Sequence, residues 1–172
     1  TTIARIIANQ TKAEFFQINA VSSGVRDIRS VIEIGAQNKN FGKRTILFID
    51  EIHRFNKAQQ DALLHSIESG VLILIGATTE NPSFEVIPAL RSRTRVFVLD
   101  ELSREELVEI LNSALTKDEF LKQLNIKSID EDYLIYLSGG DARIMLTILE
   151  AAVVQELNKE EIILNKETFE NV

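Results

Sequence analysis

Two acidic residues, Asp50 and Glu51, follow directly on the apolar run Ile46–Ile49. Open parallel sheets bind ligands at the carboxyl ends of their strands, so an acidic pair in this position can meet a ligand. Asp50 could orient a magnesium ion and its waters, while Glu51 could polarise the water that attacks a terminal phosphate. The alternative is an acidic pair that only ends a strand, which is common.

Two threonines, Thr78 and Thr79, end the next apolar run, Val71–Ala77. Their hydroxyls could hydrogen-bond the attacking water or the terminal phosphate. We prefer Thr79 for this role because it lies further toward the end of the strand. The alternative is ordinary turn chemistry, in which hydroxyl side chains bond to their own backbone.

Arginines follow in two places. Arg91 and Arg93 come shortly after a segment that contains both prolines, and a guanidinium there could neutralise transition-state charge in a neighbouring subunit. Arg93 is the first candidate for this arginine finger and Arg91 the second. Arg143 follows Asp141 at the start of a predicted long helix, from which it could reach the terminal phosphate. The alternatives are solvated surface arginines and, at Asp141, a helix cap beside an exposed arginine.

The composition limits other chemistries. The chain has no cysteine and two histidines, which excludes disulfides, thiolate nucleophiles and cysteine zinc sites, so that a metal would be magnesium on oxygen. We expect His53 to shape the turn after Glu51 and His65 to lie on a helix face, neither as a catalytic base. The net charge of −7 argues against a generally basic nucleic-acid surface. No apolar run approaches the ~20 residues of a membrane span, so we expect a cytoplasmic protein.

The pattern of elements predicts an α/β fold. Apolar or aromatic runs alternate with helical stretches, which favours a parallel, doubly wound sheet with strands at Glu14–Asn19, Thr45–Asp50, Val71–Ala77 and Thr94–Leu99. After Asp100, a capping box at residues 103–106 opens a region that reads as helices without another convincing strand. We therefore predict an α/β domain over residues 1–100 and a small all-helical domain over residues 101–172. Lys166–Val172 is typical of the opening of a helix.

The motifs in this order resemble those of AAA+ ATPases of the clamp-loader and RuvB-like branch. Asp50-Glu51 resembles the Walker B motif, Thr78-Thr79 sensor 1, Arg93 the arginine finger and Arg143 sensor 2. Two longer strings, residues 48–64 (FIDEIHRFNKAQQDALL) and 76–85 (GATTENPSFE), are similar to the replication-associated recombination protein A family, the Werner-helicase-interacting-protein type. The resemblance covers nearly all of the chain.

This resemblance implies a P-loop NTPase-like sheet followed by the helical lid of AAA+ proteins, with ATP and Mg²⁺ as ligands. It implies that the chain begins just after the phosphate-binding glycine loop, with Thr1 as a magnesium ligand beside Asp50. Thr1, Thr2, Asp50, Thr78 and Arg143 are then the nucleotide-binding residues, and Glu51, Thr79, Arg93 and Arg143 the catalytic ones. Without the loop, the fragment is expected to bind nucleotide poorly and to be inactive.

For the full-length protein, the resemblance implies a DNA-dependent ATPase at stalled replication forks, active in recombination and repair. Its implied partners are single-strand/double-strand DNA junctions, single-strand DNA-binding protein and further copies of itself in a tetramer, in the nucleoid. Two alternatives remain open: a RuvB-like branch-migration motor or clamp-loader subunit, and a non-hydrolysing AAA-like scaffold. The string Glu80–Phe84 argues against the first, and the intact set of motif residues against the second.

Overall fold

The computed structural model describes residues 1–21 and 23–172. These residues form two compact units, unit 1 over Thr1–Phe97 and unit 2 over Val98–Val172. Within the described ranges, no helix has both the length and the apolar character needed to cross a membrane.

Unit 1 contains a three-stranded parallel sheet. Its strands are β1 (Glu14–Asn19), β2 (Thr45–Asp50) and β3 (Ile73–Gly76), in the spatial order β1-β2-β3. The central strand β2 is buried along its apolar run, as expected for a strand covered on both faces. The parallel α/β fold predicted from the sequence is confirmed.

Three longer helices accompany this sheet: α1 (Thr2–Thr11), α2 (Val25–Asn40) and α3 (Lys57–Glu68). Helices α2 and α3 are the crossover connections that parallel neighbouring strands require. Their apolar faces pack with the sheet in a core that includes Ile28, Leu47 and Leu63. Two short helices follow β3, namely α4 (Pro82–Glu85) and α5 (Pro88–Arg91), and each begins with a proline, whose missing N–H costs nothing at that position.

The predicted strand at Thr94–Leu99 is wrong. Residues 95–100 form no strand, and the side chains of Val96, Phe97 and Val98 are exposed. β-branched and aromatic residues favour extended structure, but a strand also needs a partner whose N–H and C=O groups are free to pair. Among the described residues, this segment has no such partner.

Unit 2 contains the helices α6 (Arg104–Lys117), α7 (Glu131–Ser138), α8 (Ala142–Glu156) and α9 (Lys166–Glu170). The predicted capping box opens α6: the Ser103 hydroxyl accepts from Glu106 N at 3.2 Å, and Ser103 N donates to the Glu106 carboxylate at 2.8 Å. These bonds, the one from the Ser103 backbone above all, hold the pKa of Glu106 below its ordinary value. The helix predicted to open at Lys166 is confirmed as α9.

Unit 2 also contains two strands, so the prediction of an all-helical second domain is wrong. The strands β4 (Ile126–Ile129) and β5 (Ile162–Leu164) pair in parallel. Runs of three or four residues are too short for their periodicity to distinguish a strand from a turn of helix. Strands β4 and β5 pack with the helices of unit 2 around a core that includes Leu111, Leu134 and Met145.

Candidate active site

Asp50 and Glu51 lie at the carboxyl end of β2. Asp50 is the last residue of the strand and is half-buried. Glu51 follows with a backbone φ of 55°, in the left-handed region that residues other than glycine seldom adopt. Such a conformation costs ~1–3 kcal/mol and persists only where the surroundings enforce it, often at functional sites. At Glu51 this conformation turns the chain sharply, directly after the end of β2.

The ends of β2 and β3 are tied together next to this turn. Ala77 N donates to Ile49 O at 2.9 Å, and Ile52 N donates to Ala77 O at 3.0 Å. Gly76 permits the close approach, since a Cβ atom there would lie 2.9 Å from Ile52 Cδ1. We call the carboxyl ends of these two strands, with Asp50, Glu51, Thr78 and Thr79, the β2–β3 rim.

His53 connects the two strand ends through its side chain. Its Nε2 atom lies 3.2 Å from Glu51 Oε2, and its Nδ1 atom lies 2.9 Å from Thr78 Oγ1. The sequence predicted only that His53 shapes the turn after Glu51. The sequence carries little signal of its side-chain contacts. The partner Thr78 is 25 residues away, and only the parallel pairing of β2 with β3 brings it close to His53.

The two threonines of the β2–β3 rim differ in their contacts. Thr78 is half-buried, bonds to His53, and accepts a hydrogen bond from Glu80 N at 3.0 Å. Thr79 is exposed, and its hydroxyl makes no hydrogen bond within the described part of the chain. The hydroxyl of Thr79 is thus available to a ligand, and the preference for Thr79 over Thr78 stays a prediction.

Oxygen donors suited to magnesium are present in unit 1. The Asp50 carboxylate receives no hydrogen bond from any residue that the structure describes, and Thr1 caps α1 without using its hydroxyl for the cap. Magnesium at nucleotide sites takes one or two protein oxygens together with phosphates and waters. The donor set therefore fits this ion, although no group of three or more acidic, histidine or cysteine side chains in the described ranges could hold a metal alone.

The two arginine-finger candidates are bound within unit 1. Arg93 donates from Nε to Glu68 Oε1 at 2.6 Å, pairs with the same carboxylate through Nη2, and donates from Nη1 to Ala89 O at 2.6 Å. Arg91 donates from Nη1 to Ser83 O at 2.8 Å. Arg93 is the more exposed of the two, and its guanidinium must leave both Glu68 and Ala89 O to reach another molecule.

Arg143 lies in unit 2, in the first turn of α8. The Asp141 side chain caps this helix by accepting from Arg143 N at 2.7 Å and from Ile144 N at 3.1 Å. The Arg143 side chain is exposed. The helix cap considered for Asp141 is therefore present, and the role of Arg143 toward a nucleotide stays a prediction.

Gln60 is a buried polar residue that the sequence analysis missed. It is 2% exposed and fixes the segment that leads to the arginines. Its Nε2 atom donates to Phe55 O at 2.9 Å and to Glu85 O at 3.0 Å, and its Oε1 atom accepts from Ile87 N at 2.9 Å. A glutamine on a helix gives no sequence signal of such contacts, since surface glutamines are the rule.

Replacing Gln60 with leucine should destabilise unit 1 strongly. The substitution removes three hydrogen bonds and leaves backbone groups of Phe55, Glu85 and Ile87 without partners, at ~1–3 kcal/mol for each group that stays buried. We expect the free energy of unfolding to fall by about 2–4 kcal/mol in urea denaturation. Gln10→Leu on the exposed side of α1 is the matched control, with an effect within about 0.5 kcal/mol. Equal losses in both variants would contradict the role given to Gln60.

Comparison with known proteins places these features in a family. The family model for AAA, the ATPase family associated with various cellular activities, matches residues 1–102. The chain is 46% identical over 164 residues to the ATPase WRNIP1 of Dictyostelium discoideum. This alignment covers 94% of this chain and 18% of that protein. The chain is also 47% identical over 153 residues to replication-associated recombination protein A of Escherichia coli K12. That alignment covers 87% of this chain and 34% of the other protein.

A solved structure supports the same assignment. The structure of the RuvB Holliday junction branch migration motor of Thermotoga maritima superposes with a TM-score of 0.74 and 25% sequence identity. The match covers 99% of this chain and 55% of the RuvB chain. The resemblance to the replication-associated recombination protein A family is confirmed by the sequence relatives, although the chain spans only about a fifth to a third of their length. With a family model that covers more than half of its residues, the chain belongs to the AAA family of ATPases.

Proposed function

We propose that this protein hydrolyses ATP and uses the hydrolysis to remodel DNA during replication-associated recombination. The observation that carries the proposal is the β2–β3 rim, where the Asp50–Glu51 pair meets the hydroxyl of Thr78 through His53. Membership of the AAA family supports the ATPase activity, and the names of the sequence relatives support the link to replication.

The nucleotide is held, in this proposal, by Thr1, Thr2, Asp50, Thr78 and Arg143. Thr1 caps α1 and Thr2 is its first residue, and the free N–H groups of a helix N-terminus attract phosphate. Asp50 and the Thr1 hydroxyl would hold the magnesium ion, which would neutralise charge on the phosphate oxygens.

Glu51 is the general base of the proposed reaction. Its carboxylate accepts a proton from water as the water oxygen bonds to the terminal phosphorus, and the bond from that phosphorus to the bridging oxygen breaks to release ADP. Thr79 positions this water or the terminal phosphate. Arg93 of a neighbouring copy, or Arg91 as the second candidate, and Arg143 balance the developing negative charge.

DNA is the proposed partner, with single-strand/double-strand junctions at stalled forks as its preferred form. The proposal includes single-strand DNA-binding protein as a second partner, a tetrameric assembly and a location with the nucleoid in the cytoplasm. The names of the relatives support DNA as a partner, and the other proposals rest on the resemblance to the replication-associated recombination protein A family. The net charge of −7 does not itself favour nucleic acid. The poor nucleotide binding and inactivity expected of residues 1–172 by themselves remain part of the proposal.

The DNA partner is tested by ATP turnover of the full-length protein in three parallel reactions: without DNA, with blunt duplex, and with a fork that carries a single-strand gap. We expect the forked DNA to raise kcat above the other two reactions. Equal rates in all three reactions would contradict a DNA-dependent ATPase.

A RuvB-like branch-migration motor is the second candidate function. The likeness to the RuvB motor over 99% of this chain favours it. A four-way junction added to the same assay separates the two candidates, because a branch-migration motor should respond to it more strongly than to a fork. The non-hydrolysing scaffold predicts no turnover with any DNA.

A further inference from the structure

We propose that His53 is a positioning residue that orients the Glu51 carboxylate and connects it to the end of β3. The inference deepens the proposed function, since it assumes that Glu51 is the base of ATP hydrolysis. It rests on one imidazole ring that contacts both strand ends of the β2–β3 rim.

The contacts of His53 use both ring nitrogens. Nε2 lies 3.2 Å from Glu51 Oε2 and Nδ1 lies 2.9 Å from Thr78 Oγ1. The His53 side chain is 9% exposed, against 39% for Glu51. The ring is therefore held in place by its surroundings, while the carboxylate that it contacts is open to a ligand.

The direction of the hydrogen bonds follows from the chemistry of the partners. A carboxylate oxygen accepts, so in the tautomer that we assign the single ring proton lies on Nε2 and is donated to Glu51. Nδ1, at 2.9 Å, then accepts from the Thr78 hydroxyl in preference to Glu80 O, which lies further away at 3.5 Å, and the hydroxyl oxygen accepts in turn from Glu80 N at 3.0 Å. The chain of donors runs from Glu80 N through Thr78 and His53 to Glu51, and every member has a partner.

The Glu51 side chain needs a contact that fixes its orientation, because Glu51 lies beyond the last residue of β2. Its backbone has left the β2 ladder at a φ of 55°, and the 3-10 turn Ile52–Arg54 begins at once, closed by a bond from Arg54 N to Glu51 O at 2.8 Å. This turn brings His53 back to the carboxylate that precedes it by two residues. A general base must be held in the geometry of the reaction, since an error of about 1 Å can cost about 10²-fold in rate.

The same bonds couple the two strand ends. A ligand that engages the Thr78 hydroxyl competes with His53 for it, and the ring is then fixed by its bond to Glu51 alone. The orientation of the base thereby depends on what is bound at the end of β3. A residue that served only to fill space at the turn would not show this dependence.

Three substitutions at His53 separate these roles. Glutamine places its amide nitrogen near the position of Nε2 and keeps a donor for Glu51, asparagine places its amide near Nδ1 and keeps the Thr78 contact, and alanine removes both. In the full-length protein, we expect alanine and asparagine to lower kcat by about 10- to 100-fold with ATP affinity retained, and glutamine to restore most of the loss. His65→Ala, at the exposed histidine of α3, should leave kcat unchanged.

Two results would overturn the proposal: an unchanged kcat in His53→Ala, or rescue by asparagine and not by glutamine. The tautomer gives a readout that needs no activity. Nitrogen NMR of residues 1–172 should show a protonated Nε2 and an unprotonated Nδ1 on His53, with Nδ1 shifting in Thr78→Val, and the opposite tautomer would contradict the assignment. If the wild-type full-length protein does not hydrolyse ATP, the proposed function fails, while the NMR result still tests the contacts of His53.

Discussion

Glu51→Gln should leave ATP bound to the full-length protein and lower its turnover by about 10²- to 10⁴-fold, the contribution typical of a general base. Glutamine preserves the size of the side chain and accepts the hydrogen bond from His53 through its amide oxygen. It cannot take a proton from water. The chemical step is therefore lost while the contacts that hold the nucleotide remain, and the measurement pairs single-turnover hydrolysis with equilibrium binding of a fluorescent ATP analogue.

Two further variants serve as controls for Glu51→Gln. Glu33→Gln on the exposed side of α2 removes the same charge away from the β2–β3 rim and should keep full turnover. Asp50→Asn should weaken the dependence of ATP binding on magnesium, which Glu51→Gln should not do. Undiminished hydrolysis in Glu51→Gln would remove Glu51 from the mechanism.

Arg93→Ala should produce a loss of similar or larger size, about 10³- to 10⁵-fold in kcat, if Arg93 supplies the arginine finger. Its guanidinium is bound to Glu68 of the same chain, and this bond must break before Arg93 can reach a neighbouring copy. We therefore expect Glu68→Gln, which weakens that bond, to keep turnover. Arg91→Ala, measured beside it, tests the second candidate.

A mixing experiment tests whether the arginine acts between copies. Glu51→Gln supplies Arg93 without a base, and Arg93→Ala supplies a base without the arginine. Assemblies formed from both proteins should recover part of the turnover that each lacks alone. If mixing restores nothing while both variants still co-assemble, Arg93 does not act on its neighbour.

The sequence predicted the residues of the β2–β3 rim because their signal is local. An unbroken apolar run such as Ile46–Ile49 identifies a buried strand, and the residues after it must then lie at the carboxyl end. The same reasoning placed Thr78 and Thr79 at the end of β3.

The parts that the sequence did not predict depend on distant partners. The pattern at Thr94–Leu99 is that of a strand, but no described residue pairs with it. Strands β4 and β5 are too short for their periodicity to identify them. They exist because each pairs with the other, and the paired residues are 35 or 36 positions apart in the sequence. The bonds of His53 to Thr78 and of Gln60 to Glu85 likewise join positions 25 residues apart.

The central claim is that Asp50 and Glu51 face magnesium and the attacking water at the β2–β3 rim. A crystal structure of the full-length protein with magnesium and a non-hydrolysable ATP analogue measures this directly. It should place a Glu51 carboxylate oxygen within about 2.6–3.2 Å of a water in line with the terminal phosphate, and Asp50 beside the magnesium shell. A terminal phosphate bound elsewhere, with both carboxylates turned away from it, would contradict the account.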